Sequence, residues 1–165
     1  MRRPFLLAIL ILLPISGLLA DPIIVPSVGV QADIALEQKT IWFVKVQVPI
    51  MWTDLGTFGV SLVPDFAFNG TDFHGSLGVE GTFALPLRES EGADVFLHSG
   101  VGLAGYRHDG RSEILPQATC GASLLIHQAY VRLSAETMVM TKYYRNIDTF
   151  ASLMVGYGIG KRESP

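Results

Sequence analysis

The stretch "TDFHGSLGVEGTFALPL", Thr71 to Leu87, decides the fold. Taken every second residue, it separates into two sets. Phe73, Gly75, Leu77, Val79, Gly81, Phe83 and Leu85 are apolar or glycine. His74, Ser76, Gly78, Glu80, Thr82 and Ala84 are polar or small. A period of two belongs to a β-strand with unlike faces. The question it raises is which face meets which surroundings.

The same alternation fills the rest of the chain after the first twenty residues. It predicts strands over 27–36, 41–50, 58–68, the quoted stretch itself, 95–106, 117–126, 129–141 and 149–160. The connections "EQKT", "TDLG", "NGTD", "RESEGAD", "HDGRSE" and "YYRNID" carry the Asn, Asp and Gly that turns favour. Pro49 and Pro86 fall at strand ends, where a missing N–H matters least. Pro64 lies inside the third strand and predicts a bulge or an unpaired position there. No window after residue 20 holds a helical period for eleven residues or more. The pattern is a meander of hairpins without a repeated word.

The N-terminus, "MRRPFLLAILILLPISGLLADP", has two arginines, an unbroken apolar run from Phe5 to Leu13, and Ala20 before an acidic residue. Those are the parts of a secretory signal peptide. A spanning helix needs about 20 apolar residues, and Pro14 and Gly17 interrupt this run. The chain therefore divides into 1–20, an export signal, and 21–165, one domain. Without Arg2 and Arg3, ten basic residues stand against 15 acidic ones. That balance argues against a nucleic-acid partner, which would need a basic patch. Cys120 is the one cysteine, so an internal disulfide is excluded. Nothing in the sequence has the spacing of a zinc site or a phosphate loop, and no cofactor is expected.

Three features orient the faces. Within the predicted strands the charged residues are Asp33, Lys45, Asp65, Glu80, Arg132 and Glu136, and all lie opposite the apolar set. The polar face is otherwise dominated by Gly, Ala and Ser, for example Gly59, Ser61, Ala67, Gly102, Ala104 and Ser134. A water-facing surface is usually about 25–35% charged, so this face is too sparsely charged to be one. Its small residues suit the crowded interior of a narrow barrel. The strands are also long enough to cross a bilayer at a tilt, which takes about 9–11 residues. Trp42, Trp52, Tyr106, Tyr130, Tyr143 and Tyr144 fall near strand ends, where aromatic girdles meet headgroups. The reading is an all-β, eight-stranded antiparallel up-and-down transmembrane β-barrel. Closure removes the unpaired edges that a hydrocarbon environment forbids.

Export signal, eight alternating strands and short turns together resemble the small outer-membrane β-barrel proteins of the OmpA/OmpX-like class. The resemblance is one of architecture and covers the whole of 21–165. It implies the outer membrane of a Gram-negative-type envelope, with membrane lipid and the barrel-insertion machinery as partners. It does not imply one activity. The class usually ends on an aromatic residue that the insertion machinery reads. Here "KRESP" follows the last strand, and Tyr157 and Ile159 are the candidates for that role.

The lumen then holds the candidate site. Asp33, Lys45, Asp65, His74, Glu80, His98, Arg132 and Glu136 are expected to form a polar network, because buried charges must be paired. His74-x-Ser76 with Glu80 resembles, in one detail, the His-x-Ser pair and Glu of outer-membrane lipid A deacylases. That resemblance implies Ser76 as nucleophile and His74 as base. The register turns both into the lumen, away from acyl chains, so a structural network stands first. A soluble exported barrel holding an apolar ligand is the alternative to a membrane barrel, with the hydrolase third. External connections, expected near 37–40, 69–72, 107–116 and 142–148, are too short for a loop-borne adhesin. Cys120 is expected to face lipid as a small hydrophobe.

Overall fold

The computed structural model describes residues 21–34, 40–53, 58–70, 72–85, 93–108, 111–139 and 147–160. The predicted export signal, Tyr143, Tyr144, residues 88–92 of the "RESEGAD" connection and most of the expected connections at 37–40 and 142–148 lie outside the described residues, whereas Ala93 and Asp94 are already strand.

Ten strand elements appear in chain order: β1 Ile23–Ile24, β2 Ser27–Asp33, β3 Trp42–Gln47, β4 Ile50–Thr53, β5 Phe58–Phe68, β6 Phe73–Leu85, β7 Ala93–His108, β8 Arg111–Ile126, β9 Ala129–Val139 and β10 Ile147–Tyr157. All pairings are antiparallel. β1 and β2 share one register against β4 and β3, so each pair is one wall strand with a short interruption. The sheet runs from β5 through β3, β2, β10, β9, β8 and β7 to β6, and β6 pairs back onto β5. The wall is a closed eight-stranded barrel.

Its stagger can be read from the ladder. Asp33 faces Phe150, and the row continues through Glu136, Thr119, Gly100, Glu80, Ser61 and Met51 to Ile23. One circuit thus returns to the same wall strand ten residues earlier. With about 3.3 Å per residue and about 4.8 Å between strands, this offset tilts the strands by about 40°.

The apolar set of each strand faces outward. Val101 is 70% exposed, Leu133 61% and Leu77 54%. The polar set faces inward: Lys45 and His74 are 0% exposed, Glu80 and Glu136 1%. This is the reverse of a soluble barrel that shelters an apolar ligand, and that alternative falls.

Two expectations need correction and one is narrowed. The 107–116 connection is mostly strand, because β7 reaches His108 and β8 starts at Arg111. Pro64 makes the unpaired position and not the bulge: β5 keeps one register against β6 from Phe58↔Phe83 to Phe68↔Phe73, and Pro64 accepts from Val48 N–H with no N–H to return. Tyr130, 2% exposed, and Tyr106 point inward and pack in the core. Their positions alternate with outward residues, so parity overrides their place near strand ends. Phenylalanines take the outer bands instead. Phe66 stacks on Phe73 at 6.1 Å near one end, where Trp42 is also exposed. Phe58 meets Phe83 at 5.2 Å near the other, where Tyr157 is exposed.

Candidate functional site

The lumen is built in layers. The upper end is the one with the β5–β6 turn, where Asp72 N–H donates to Asn69 Oδ1 at 2.9 Å. The lower end carries Ile23, Tyr157 and the turn at His127–Gln128. Near the upper end, Phe43, Ala67, Ala104, Leu115, Met138 and Phe150 form an apolar layer, with Tyr106 against it. Near the lower end, Val25, Met51, Phe96, Leu125 and Tyr130 form another. The charged side chains occupy the band between them.

Two ion clusters make up that band. In the first, Glu136 accepts from Lys45 Nζ, from Gln31 Nε2 at 3.2 Å, Gln117 Nε2 at 3.1 Å and Ser152 Oγ at 3.3 Å. Lys45 Nζ also lies 3.0 Å from Asp65 Oδ2. Four donors from four wall strands thus converge on one carboxylate. In the second cluster, Arg132 holds Glu80 with both terminal nitrogens, at 2.9 and 2.6 Å, and Thr119 Oγ1 donates to Glu80 at 2.8 Å. The forked geometry matches a planar guanidinium to a planar carboxylate. Ser134 and Ser152 share a hydroxyl contact at 2.7 Å between the two clusters.

The other expected members are placed differently. Asp33 is half-buried and faces Phe150 across the ladder, at the upper edge of the lumen. His74 belongs to the apolar layer: its ring lies 5.5 Å from Phe43, 5.6 Å from Phe150 and 6.2 Å from Tyr106. Neither of its nitrogens has a hydrogen-bond partner among the described residues. His98 is likewise inward and unpartnered, lying over Gly121. Ser76 faces Asp65 across the β5–β6 ladder.

His74, Ser76 and Glu80 therefore share a face without being joined to one another by hydrogen bonds among the described residues. Glu80 is committed to Arg132 and Thr119, and His74 makes no hydrogen bond to Ser76. A nucleophile and base need that bond and a third orienting group. Among the described residues no three His, Cys, Asp or Glu side chains converge to hold a metal ion. Cys120 is exposed on the outer face.

Reading charges alone missed the neutral half of the network, Gln31, Gln117, Thr119 and Ser152. The signal was present. Gln31, Gln47 and Gln117 are amides on the charge-bearing face of otherwise small or apolar strands.

No protein-family model matches the chain, and no curated protein sequence matches it. Solved structures do. Neisserial surface protein A aligns with a TM-score of 0.57 at 9% identity, over 83% of this chain and 96% of that one. The N-terminal β-barrel domain of Pseudomonas aeruginosa OprF aligns at 0.54 with 11% identity, over 83% and 97%. The outer membrane enzyme PagL aligns at 0.53 with 13% identity, over 83% and 98%.

The fold is that of the small outer-membrane β-barrels. The exterior agrees, since a closed wall with an apolar surface is what a bilayer demands of strands. Sequence identities this low carry the fold alone. The activity of this outer-membrane barrel has to be argued from its own lumen and surface.

Proposed function

We propose that the protein is an integral outer-membrane barrel whose lumen is a solid structural core, conducting nothing and catalysing nothing. Its role in the envelope is carried by the rigid wall it places in the lipid. Residues 1–20 serve as its export signal, and the barrel-insertion machinery delivers it.

One observation carries this reading: the ion-paired band is closed above and below by apolar layers. The inner apolar residues of both layers are essentially unexposed, from Phe43 and Phe150 to Val25 and Tyr130. An eight-stranded interior is about wide enough for side chains to fill it. Ions crossing it would have to displace Phe43 and Phe150 at one end and Tyr130 and Phe96 at the other. The pairing of Lys45 and Arg132 with Glu136, Asp65 and Glu80 leaves no free charge track between.

The test is a planar bilayer recording of purified protein, with folding checked by the heat-dependent shift on an SDS gel. The expected trace is flat at physiological salt and moderate voltage. Discrete, reproducible conductance steps would sink the proposal and make the charged band a pore lining. Hydrolysis of lipid A by the wild type, lost in Ser76→Ala while the gel shift persists, would sink it in favour of the hydrolase.

A further inference from the structure

Three prolines stand beside one another in adjacent wall strands. Pro26 separates β1 from β2, Pro49 separates β3 from β4, and Pro64 lies within β5. Each belongs to a different ladder. Tyr157 N–H donates to Pro26 O at 3.2 Å, Val25 N–H to Pro49 O at 2.9 Å, and Val48 N–H to Pro64 O at 3.0 Å. Such antiparallel pairs normally exchange two bonds. Proline has no N–H to return the second. Three consecutive interfaces, from β10 round to β5, therefore each lack a donor, on two adjacent rows of the ladder.

The register stays in phase through this line, with Ile24↔Ile50 on one side and Ser27↔Gln47 on the other. The prolines leave the wall's course unchanged and remove only its bonds. Across the rest of the barrel, from β5–β6 round to β9–β10, each ladder keeps one register, and the remaining strand proline, Pro116, lies toward the upper rim, where the β8–β9 ladder ends at Gln117↔Met138. One side-chain repair is visible. Ser27 Oγ donates to Val25 O at 3.1 Å, where Pro49 cannot.

The two sides of this line differ in character. Outside, Pro26 is opposite Tyr157, one of the exposed aromatics near the lower end, so the line begins in the lower headgroup zone. Inside, it is backed by Gln47, Ser61 and Asp65, all at most 2% exposed. Gln47 Oε1, Ser61 Oγ and Asp65 Oδ1 have no hydrogen-bond partner among the described residues, and Gln31 Oε1, Thr82 Oγ1, Gln117 Oε1, Arg132 Nε and both His98 nitrogens share that lack elsewhere in the lumen. Buried polar atoms normally find a protein or water partner, and the apolar layers close the ends of the lumen to water.

We propose that the proline line is a side entrance, along which the wall parts to pass water between the lower membrane interface and the polar band. The proposal rests on the reading of a lumen sealed at both ends, and the experiment separates the two. The protein is purified from outer membranes as Cys120→Ala, which removes the native thiol, and placed in phosphatidylcholine nanodiscs. Ser61→Cys then reports on the band behind the line, Ala104→Cys on the upper apolar layer and Leu125→Cys on the lower, both native side chains being at most 3% exposed. The probe is a small charged methanethiosulfonate.

Ser61→Cys reacts and the other two do not. Adding Pro64→Val or Pro49→Val, which restores a donor, slows the reaction by about fivefold per hydrogen bond regained. An unreactive Ser61→Cys, or a rate indifferent to both valines, overturns the side entrance. Reaction at Ala104→Cys or Leu125→Cys overturns the sealed lumen instead. Amide exchange on the unsubstituted protein is the second measurement. Val25 and Val48 exchange faster than Val79 and Val101, and equal protection overturns the proposal.

Discussion

Arg132 on β9 and Glu80 on β6 reach across the lumen from wall strands three apart and meet through two parallel hydrogen bonds, both side chains 2% exposed. Neither charge is open to bulk solvent. Arg132→Met leaves the Glu80 carboxylate with Thr119 as its remaining donor. Breaking one side of a buried pair costs about 3–5 kcal/mol. The double variant Arg132→Met/Glu80→Leu removes both charges and recovers most of that loss. Urea unfolding in detergent, followed by tryptophan fluorescence or the gel shift, gives both numbers. A double variant as unstable as the single one would show that the pair is not the source of the loss.

Lys45 is the counter-charge for two carboxylates at once, Glu136 and Asp65. Lys45→Met therefore leaves two buried anions and is expected to be at least as damaging as Arg132→Met. Asp65→Asn is milder, about 1–2 kcal/mol, because Lys45 keeps Glu136 and a neutral acceptor remains. The order Lys45→Met, then Asp65→Asn, in unfolding midpoint is the check. An inverted order would mean that Asp65, not Glu136, is the principal partner of Lys45.

The fold was legible because a period-two pattern survives any local detail. Once Val28, Val44, Leu77, Val101 and Leu133 fall on one side, every charge on the other side is inside. What was not legible follows from the same physics. His74 looked like a network member because it shares a face with Glu80. The stagger of the strands raises it into the ring of Phe43, Phe150 and Tyr106, and stagger is not written in any one strand. The end of β7 and the start of β8 read as a loop in the sequence because "HDGRSE" is polar. Beyond the hydrocarbon a strand has no need of an apolar face, so composition ceases to mark it. Tyr130 was legible and misread: its parity with Arg132 and Ser134 already placed it inside.

The outer face makes a prediction of opposite sign to that of a soluble protein. Val101, 70% exposed and midway along β7, faces hydrocarbon. Val101→Arg is expected to cost about 2–4 kcal/mol, the depth-dependent price of a cation at the bilayer midplane. Ser112→Arg, near the upper rim, costs about 0–1 kcal/mol on the same scale. Reversible unfolding in lipid vesicles measures both. A neutral or stabilising Val101→Arg would contradict the lipid-facing assignment.

The inward glycines are not equivalent, and the difference is a test of how tightly the lumen is filled. A Cβ at Gly100 would collide with the carbonyl oxygen of Val79 and lie 2.7 Å from Glu80 Cγ, the stem of the carboxylate that Arg132 holds. A Cβ at Gly78, on the neighbouring strand, would find nothing closer than Val101 O at 3.7 Å. Gly100→Ala should therefore push Glu80 off its fork and destabilise by about 1–3 kcal/mol, the usual range for overpacking. Gly78→Ala should be neutral or slightly stabilising, because it removes unfolded-state freedom at no steric cost. Both variants are measured by the temperature at which the compact gel band disappears. Equal losses at the two positions would mean that the wall, and not the Arg132–Glu80 pair behind it, responds to the added methyl.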